Sequence, residues 1–406
     1  MNRVVITGIG LISPYGRGME PFIQGVLSGK TCVRNMTEWE NYRNFNSTVA
    51  APAELFGEKD IPRRKRRSMG RMAIFAVQAA EDAISDSGLS NDFLTNGDVG
   101  CIIGSTIGSP EALAETFEII IPRKDISEIS SMDFFKFVSH TASMNVAQYF
   151  GISGILMATN AACASSLQAI GTGYDLIRLG RQKAVICGGA EEVHPTVTGT
   201  FDVLFATSSK FNKTPELTPR PFDRDRDGVV CGEGSAVLIL EEYEHALKRG
   251  AKIYAEVIGY NTCGSGNHIS ESDRGAMKFC ILGALKDAGI GPKSIDLISA
   301  HATGTIQGDI EEAEAIKDIF GSETPVSCLK GYIGHTLGAS GSMELAVSLD
   351  MMKNSRILPT INLDNIDEKC AGINIIKQLE NKNIDIVMKN SFAFGGINAV
   401  VVCKKI

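Results

Sequence analysis

Two stretches of the chain, laid side by side, set the expected fold: ISDSGLSNDFLTNGDVGCIIGST at residues 84–106 and LKDAGIGPKSIDLISAHATGT at residues 285–305. Each begins at the end of an amphipathic helix that a glycine stops, at Gly88 and Gly289. Each crosses a Gly/Asp/Pro loop and runs through an apolar strand into a glycine–threonine turn. The turns are Gly104, Ser105 and Thr106 in one, Thr303, Gly304 and Thr305 in the other. A helix–loop–strand unit met twice predicts an α/β chain built from two similar halves.

The surrounding pattern agrees. Short apolar runs predict strands over residues 4–7, 99–103, 155–159, 183–188, 236–240, 254–260, 297–300 and 399–403. Helices are expected over 69–87, 165–180, 272–288, 309–320 and 342–353. In the first, apolar residues at 69, 72, 73, 76, 77, 80, 83 and 84 fall on one helical face. No short repeat points to a solenoid. No flexible linker separates the halves, so one shared core is expected. The boundary is placed near residue 250, giving an N-terminal half over 1–250 and a C-terminal half over 251–406.

Composition narrows the function classes. The 406 residues are 44% hydrophobic and 21% charged, which excludes a disordered scaffold. The net charge of −7 argues against a nucleic-acid binder. Ten cysteines lie scattered, none spaced Cys-x-x-Cys, so neither a zinc site nor a redox pair is expected; reduced thiols in a cytoplasmic protein are. No apolar run reaches 18 residues, so no membrane span is expected. The opening MNRVVITGIGLISPYG reads as a first strand and glycine turn, not a signal peptide. No GxGxxG stands at a strand-to-helix turn, so a dinucleotide site is not supported.

Three residues stand out for chemistry. Cys163, in MATNAACASSLQAI, follows an apolar run and precedes a helix beginning at about residue 164. A thiol there faces unpaired N–H groups and the positive end of the helix dipole, a setting that favours thiolate. A buried structural cysteine is the plainer alternative. His301, in LISAHATGTIQGD, ends a strand, and His335, in LKGYIGHTLGASG, sits in a glycine-rich turn before a helix. A lone histidine is usually structural; two of this kind, among only six, make a set with Cys163. A thiolate accepts an acyl group as a thioester, and two neutral imidazoles can donate to one carbonyl oxygen as enolate charge develops. Lys330 lies five residues before His335, and Glu344 nine after it; judged alone, Glu344 reads as a surface residue. In NSFAFGGINAVVV the N–H of Phe394 is a candidate oxyanion donor, and an ordinary turn is the alternative.

Together these segments resemble the elongating β-ketoacyl-acyl-carrier-protein synthases, in particular synthase II and its type II polyketide and aryl-polyene relatives. The resemblance spans the chain through VVITGIGLISPYG, AACASSLQAI, CGGAEE, RPFDRDRDGVVCGEG, HATGT, LKGYIGHTLGASG and NSFAFGGIN. It implies a thiolase-like five-layered αβαβα sandwich of two duplicated halves, in a homodimer or a heterodimer. It implies that Cys163 is acylated and that His301 and His335 promote decarboxylation of malonyl-carrier, giving a 3-oxoacyl-carrier product. By the same resemblance Lys330 and Glu344 order the site, and Thr303 and Thr305 meet the pantetheine arm. Cys163 and Phe394 supply the oxyanion N–H groups. Ile107 and Phe201 line the acyl pocket. No cofactor or metal is implied, since phosphopantetheine on acyl carrier protein carries the substrates.

The Cys-His-His set sets the chain apart from the Cys-His-Asn initiating class. Retention of Cys163 separates it from an inactive chain-length factor. His301–Ala302–Thr303 and Lys330–Gly331–Tyr332 depart from the fatty-acid pattern and lean towards a specialised polyene or polyketide pathway. Two alternatives stay open: a partner subunit of a condensing heterodimer, and an acyl-transferring or thioester-hydrolysing cysteine enzyme. Five basic residues run from Arg63 to Arg67 in this acidic chain, with Arg71 a helical turn beyond. The family docks its acidic carrier on such residues, and the matching positions are Arg64, Arg67, Arg123 and Lys124.

Overall fold

The computed structural model describes residues 1–406. In the N-terminal half, strands β1 (Val4–Ser13), β2 (Val99–Gly104), β3 (Leu156–Met157), β4 (Ala184–Glu191) and β5 (Gly234–Glu242) lie in the order β3-β2-β4-β5-β1. In the C-terminal half, β6 (Ala255–Gly264), β7 (Leu297–Ser299), β8 (Pro325–Ser327), β9 (Asn374–Ile375), β10 (Ile386–Phe392) and β11 (Ile397–Lys404) lie in the order β9-β8-β7-β10-β11-β6. Counted from β1 and from β6, the first four pairings repeat: antiparallel, antiparallel, parallel, parallel. Val4, Val5 and Ile6 of β1 pair antiparallel with β6 and join the two sheets edge to edge.

The repeat extends to a bulge. Register slips between Ile6 and Gly8 where β1 meets β5, and between Val257 and Gly259 where β6 meets β11. A helix backbone presses onto each glycine. A Cβ at Gly8 would sit 2.2 Å from the Ala83 carbonyl oxygen, and one at Gly259 2.5 Å from that of Ala284. Those carbonyls belong to helices α1 (Arg71–Ser87) and, further along the chain, Arg274–Ala288.

The central strands β4 and β5 are buried on both faces, so successive side chains enter different cores. Ala236, Leu238 and Leu240 of β5 join the central core, while Val237 and Ile239 join the outer one. The central core holds α2 (Ser165–Arg178), through Leu167 and Ile170. The helix Arg274–Ala288 is α3; with α4 (Ile306–Phe320) it covers the outer face of the C-terminal sheet, through Met277, Ile281 and Ile316. After the short α5 (Lys330–Ile333), α6 (Ser340–Lys353) returns to the central core through Met343, Leu345 and Leu349. Met72, Phe75 and Val77 of α1 pack on the outer face of the N-terminal sheet. The layers therefore run helix, sheet, helix, sheet, helix.

Some elements differ from expectation. The buried strand read over 155–159 is only β3, a two-residue edge strand whose Leu156 and Met157 are exposed. The strand β10 and the helices Pro110–Arg123 and Thr141–Phe150 were not expected. In β10 the polar run Lys389, Asn390 and Ser391 breaks the apolar pattern, yet all three are buried.

Candidate active site

The central helices α2 and α6 begin close together, and small residues make this possible. A Cβ at Gly189 would lie 2.7 Å from both the Gly338 carbonyl oxygen and the Ser166 side chain, and the Ser342 N–H donates to Ser166 Oγ at 3.0 Å. Cys163 stands just before α2, His335 just before α6, and His301 just after β7. The three converge: the sulfur and a ring nitrogen of each histidine all lie within 4.8 Å of one another. The two imidazoles meet edge to face, centroids 5.1 Å apart.

A strained backbone presents each of them. Ala162 before Cys163 has φ 47°, Ala302 after His301 has φ 23°, and Leu337 beyond His335 has φ 43°. Non-glycine residues in this region cost about 1–3 kcal/mol each and need support. Three buried side chains provide it. Ser165 Oγ donates to the Ala162 carbonyl at 2.6 Å and accepts from the Ala161 N–H at 2.8 Å. Glu312 accepts from the N–H groups of His301 and Ala302, at 2.8 and 2.6 Å. Glu191 accepts from the Gly338 N–H at 2.9 Å and the Thr106 N–H at 2.7 Å. The N-terminal half also holds the His335 backbone, which donates to the Val230 carbonyl at 2.7 Å and accepts from the Gly232 N–H at 2.9 Å.

Behind the histidines, Lys330 and Glu344 are buried and paired at 2.6 Å, so Glu344 is not the surface residue its sequence setting suggested. The second carboxylate oxygen of Glu344 accepts from Lys389, which sequence reasoning missed. The signal was a lysine inside a buried strand, since an unpaired lysine is almost never fully buried. Glu312 was missed too. Its signal was the spacing of Asp309, Glu312, Ala313 and Ile316, which puts an acid on the inward stripe of α4.

Burial and the positive charge of Lys330 push both imidazoles well below the usual histidine range. They are therefore neutral at physiological pH, each with one N–H to donate. The ring nitrogens of His335 and Nδ1 of His301 are buried without a protein partner. Burial also pushes the Cys163 thiol up to about 12, against a smaller opposing pull from Lys330. This corrects the thiolate expected from the helix end: desolvation outweighs the dipole, and the resting sulfur carries its proton. A thiol and two imidazoles are also a donor set for a zinc ion. Two buried ammonium groups next door make that site unfavourable for a further dication.

The cleft over the trio spans about 480 Å³, counting space open to solvent. Phe201, Thr303, Thr305 and Phe394 line it with Cys163, His301 and His335, and the hydroxyls of Thr303 and Thr305 lie 3.1 Å apart. The N–H groups of Cys163 and Phe394 donate to nothing else in the chain. Ile107 lies outside this cleft and is 40% exposed. Arg64, Arg67, Arg123 and Lys124 are exposed, and Arg123 pairs with Glu128. Arg71 does not extend that basic run: it turns inward to pair with Glu233 at 2.7 Å.

Residues 1–246 match the family described as beta-ketoacyl synthase, N-terminal domain, and residues 254–364 match its C-terminal domain. The chain belongs to the β-ketoacyl synthase family. It is thus a condensing acyltransferase with the thiolase-like fold. A curated relative, 3-oxoacyl-[acyl-carrier-protein] synthase 1 of Haemophilus influenzae, is 37% identical over 100% of this chain and 99% of its own length. The crystal structure of a beta-ketoacyl synthase from Burkholderia phymatum matches with TM-score 0.97 and 38% identity, over 100% of both chains. A type II polyketide ketosynthase, solved in complex with its acyl-carrier protein and bound to the hexaketide, matches with TM-score 0.92 and 31% identity, over 100% of this chain and 99% of its own.

Proposed function

We propose that this synthase condenses an acyl group held on Cys163 with malonyl-carrier, in a specialised polyene or polyketide pathway. The observation that carries the reaction is the meeting of one sulfur and two neutral imidazoles within 4.8 Å. In the first step Cys163 Sγ attacks the acyl thioester carbon, and the pantetheine sulfur leaves with the proton. The N–H groups of Cys163 and Phe394 hold the oxyanion. In the second step malonyl-carrier loses carbon dioxide, and its electron pair becomes an enolate whose oxygen accepts from His301 and His335. The enolate carbon then attacks the acyl carbonyl and expels the Cys163 sulfur as thiolate, which takes a proton from water to restore the resting thiol, giving the 3-oxoacyl-carrier.

Lys330 and Glu344 order this site, and Thr303 and Thr305 receive the pantetheine arm, which is part of the substrate and not a resident cofactor. The acyl chain passes Phe201 in the cleft and extends beyond it towards Ile107. The partner is an acidic acyl carrier protein docked on Arg64, Arg67, Arg123 and Lys124. The working form is a dimer, with a second copy or a cysteine-less homologue. Support for it comes from Leu156 and Met157, exposed apolar side chains on the edge strand β3, whose outer side pairs with no strand of this chain. The two halves meet near residue 250, and the protein works in the cytoplasm, in keeping with ten free cysteines and no helix long and apolar enough to cross a membrane. The Lys330–Gly331–Tyr332 and His301–Ala302–Thr303 sequences support the specialised pathway.

The test is product formation from acyl-carrier and malonyl-carrier, with carbon dioxide release measured in parallel. Cys163→Gln is expected to abolish the 3-oxoacyl product while carbon dioxide release persists, because both histidines remain. Condensation retained in that variant refutes the assignment of Cys163.

A further inference from the structure

Lys389 is a fully buried ionisable side chain next to the histidines that the proposed steps leave unused. It lies on β10 with no solvent exposure. Its ammonium donates to Glu344 and to the carbonyls of Ala300 at 3.1 Å and Ser299 at 3.4 Å. An ammonium has three N–H donors and no acceptor. Burial lowers its pKa and the Glu344 carboxylate opposes that shift; the three acceptors that meet it favour the protonated side chain. Two of them are the last carbonyls before His301. The lysine thus ties the end of β7 to α6 from beneath.

We propose that Lys389 is a positioning residue for the decarboxylation step: it fixes the turn that carries His301 and places a second buried positive charge behind the imidazole pair. Glu344 on α6 is shared with Lys330 on α5, so these three groups carry a net positive charge. The other titratable groups facing Lys389 are Glu312 on α4, Cys328 after β8, His301 and His335. Glu312 accepts from the His301 and Ala302 N–H groups and from Asn390 Nδ2 at 3.2 Å, and its carboxylate opposes part of the positive charge of the two lysines. After burial, Lys330 and Lys389 both oppose a proton on either imidazole. This arrangement preserves two uncharged donors for an oxygen that turns negative only as carbon dioxide leaves, which is where a preorganised donor pair acts most strongly.

The proposal rests on the condensation reading, so wild-type product formation is measured first in the same assay; its absence would count against that reading, not against Lys389. In full-length Lys389→Met, a neutral side chain of similar length, acylation of Cys163 is expected to stay within about threefold. Carbon dioxide release from malonyl-carrier is expected to fall about tenfold or more near neutral pH, with KM little changed, an effect within the usual range for acid–base and donor groups. Removing the positive charge lets an imidazole take up a proton at higher pH, so the acid limb of the rate profile moves upward. In Lys389→Ala, added ethylammonium restores part of the lost rate. Unchanged decarboxylation overturns the proposal. So does an equal fall in acylation and decarboxylation with an unmoved acid limb, which is the mark of a purely structural residue. If neither variant folds, nitrogen-15 NMR of the wild-type histidines decides: protonation of either ring above about pH 6, near the unperturbed value, overturns it.

Discussion

Glu344→Gln removes one negative charge and leaves everything around it in place. In the native site the carboxylate accepts from Lys330 at 2.6 Å and from Lys389, and neither ammonium has any solvent exposure. A glutamine keeps one acceptor oxygen and turns an N–H₂ group towards the other lysine. Breaking a buried pair in this way costs about 3–5 kcal/mol. The folded protein has one escape, which is to release a proton from one lysine. At pH 7 that costs about 1.36 kcal/mol for each of the roughly 3.4 pH units below the unperturbed lysine value, or about 4.6 kcal/mol. The two routes agree. With an unfolding entropy of about 0.85 kcal/mol/K for 406 residues, the melting temperature falls by about 5 °C. The pH dependence follows by linkage. In the variant the folded lysine is neutral while the unfolded one is charged, so the unfolded state binds one more proton and stability rises with pH. The gap from wild type narrows by about 2.7 kcal/mol between pH 7 and pH 9. Melting both proteins at pH 7, 8 and 9 checks this. A gap that does not change with pH, or one below about 1 kcal/mol, the range of exposed pairs, would refute the reasoning.

Other outcomes test the remaining parts of the site. With its thiol pushed up to about 12, Cys163 is alkylated by iodoacetamide about tenfold faster for each pH unit between pH 6 and 9. Peptide mass spectrometry follows that residue alone, and a plateau below pH 8 would contradict the burial argument. Arg64→Glu with Arg67→Glu raises KM for acyl-carrier substrates at low salt while small thioester analogues are unaffected, and the difference shrinks as salt screens the charge. Equal loss for both substrates counts against docking at these arginines.

The fold and the three side chains that converge, Cys163, His301 and His335, were legible in the sequence because both rest on local signals. The repeated helix–glycine–strand unit at residues 84–106 and 285–305 reports a duplication that the paired bulges at Gly8 and Gly259 carry into three dimensions. Cys163, His301 and His335 each stand at an element end flanked by small residues, a pattern one strand or helix suffices to show. The supports were less legible. Glu191, Glu312 and Lys389 do their work on backbone groups from other elements, so their partners are set by packing and not by spacing. Lys389 was hidden further because its strand begins with only three apolar residues before polar ones. The protonation of Cys163 was misjudged for a related reason: a helix end is visible in sequence, but the depth at which it is buried is not.

The last strand of the sheet in chain order, β11, does not lie at an edge. It sits between β6 and β10 and hydrogen-bonds to both along most of its length. A nascent chain on the ribosome that stops short of Ile397 therefore lacks the middle of its second sheet and leaves β6 and β10 without the strand between them. The turn bearing His301 hangs from β7, which is anchored to β10. The meeting of Cys163 with His301 thus waits for translation to pass residue 404, and Cys163, made long before, spends that interval without that neighbour.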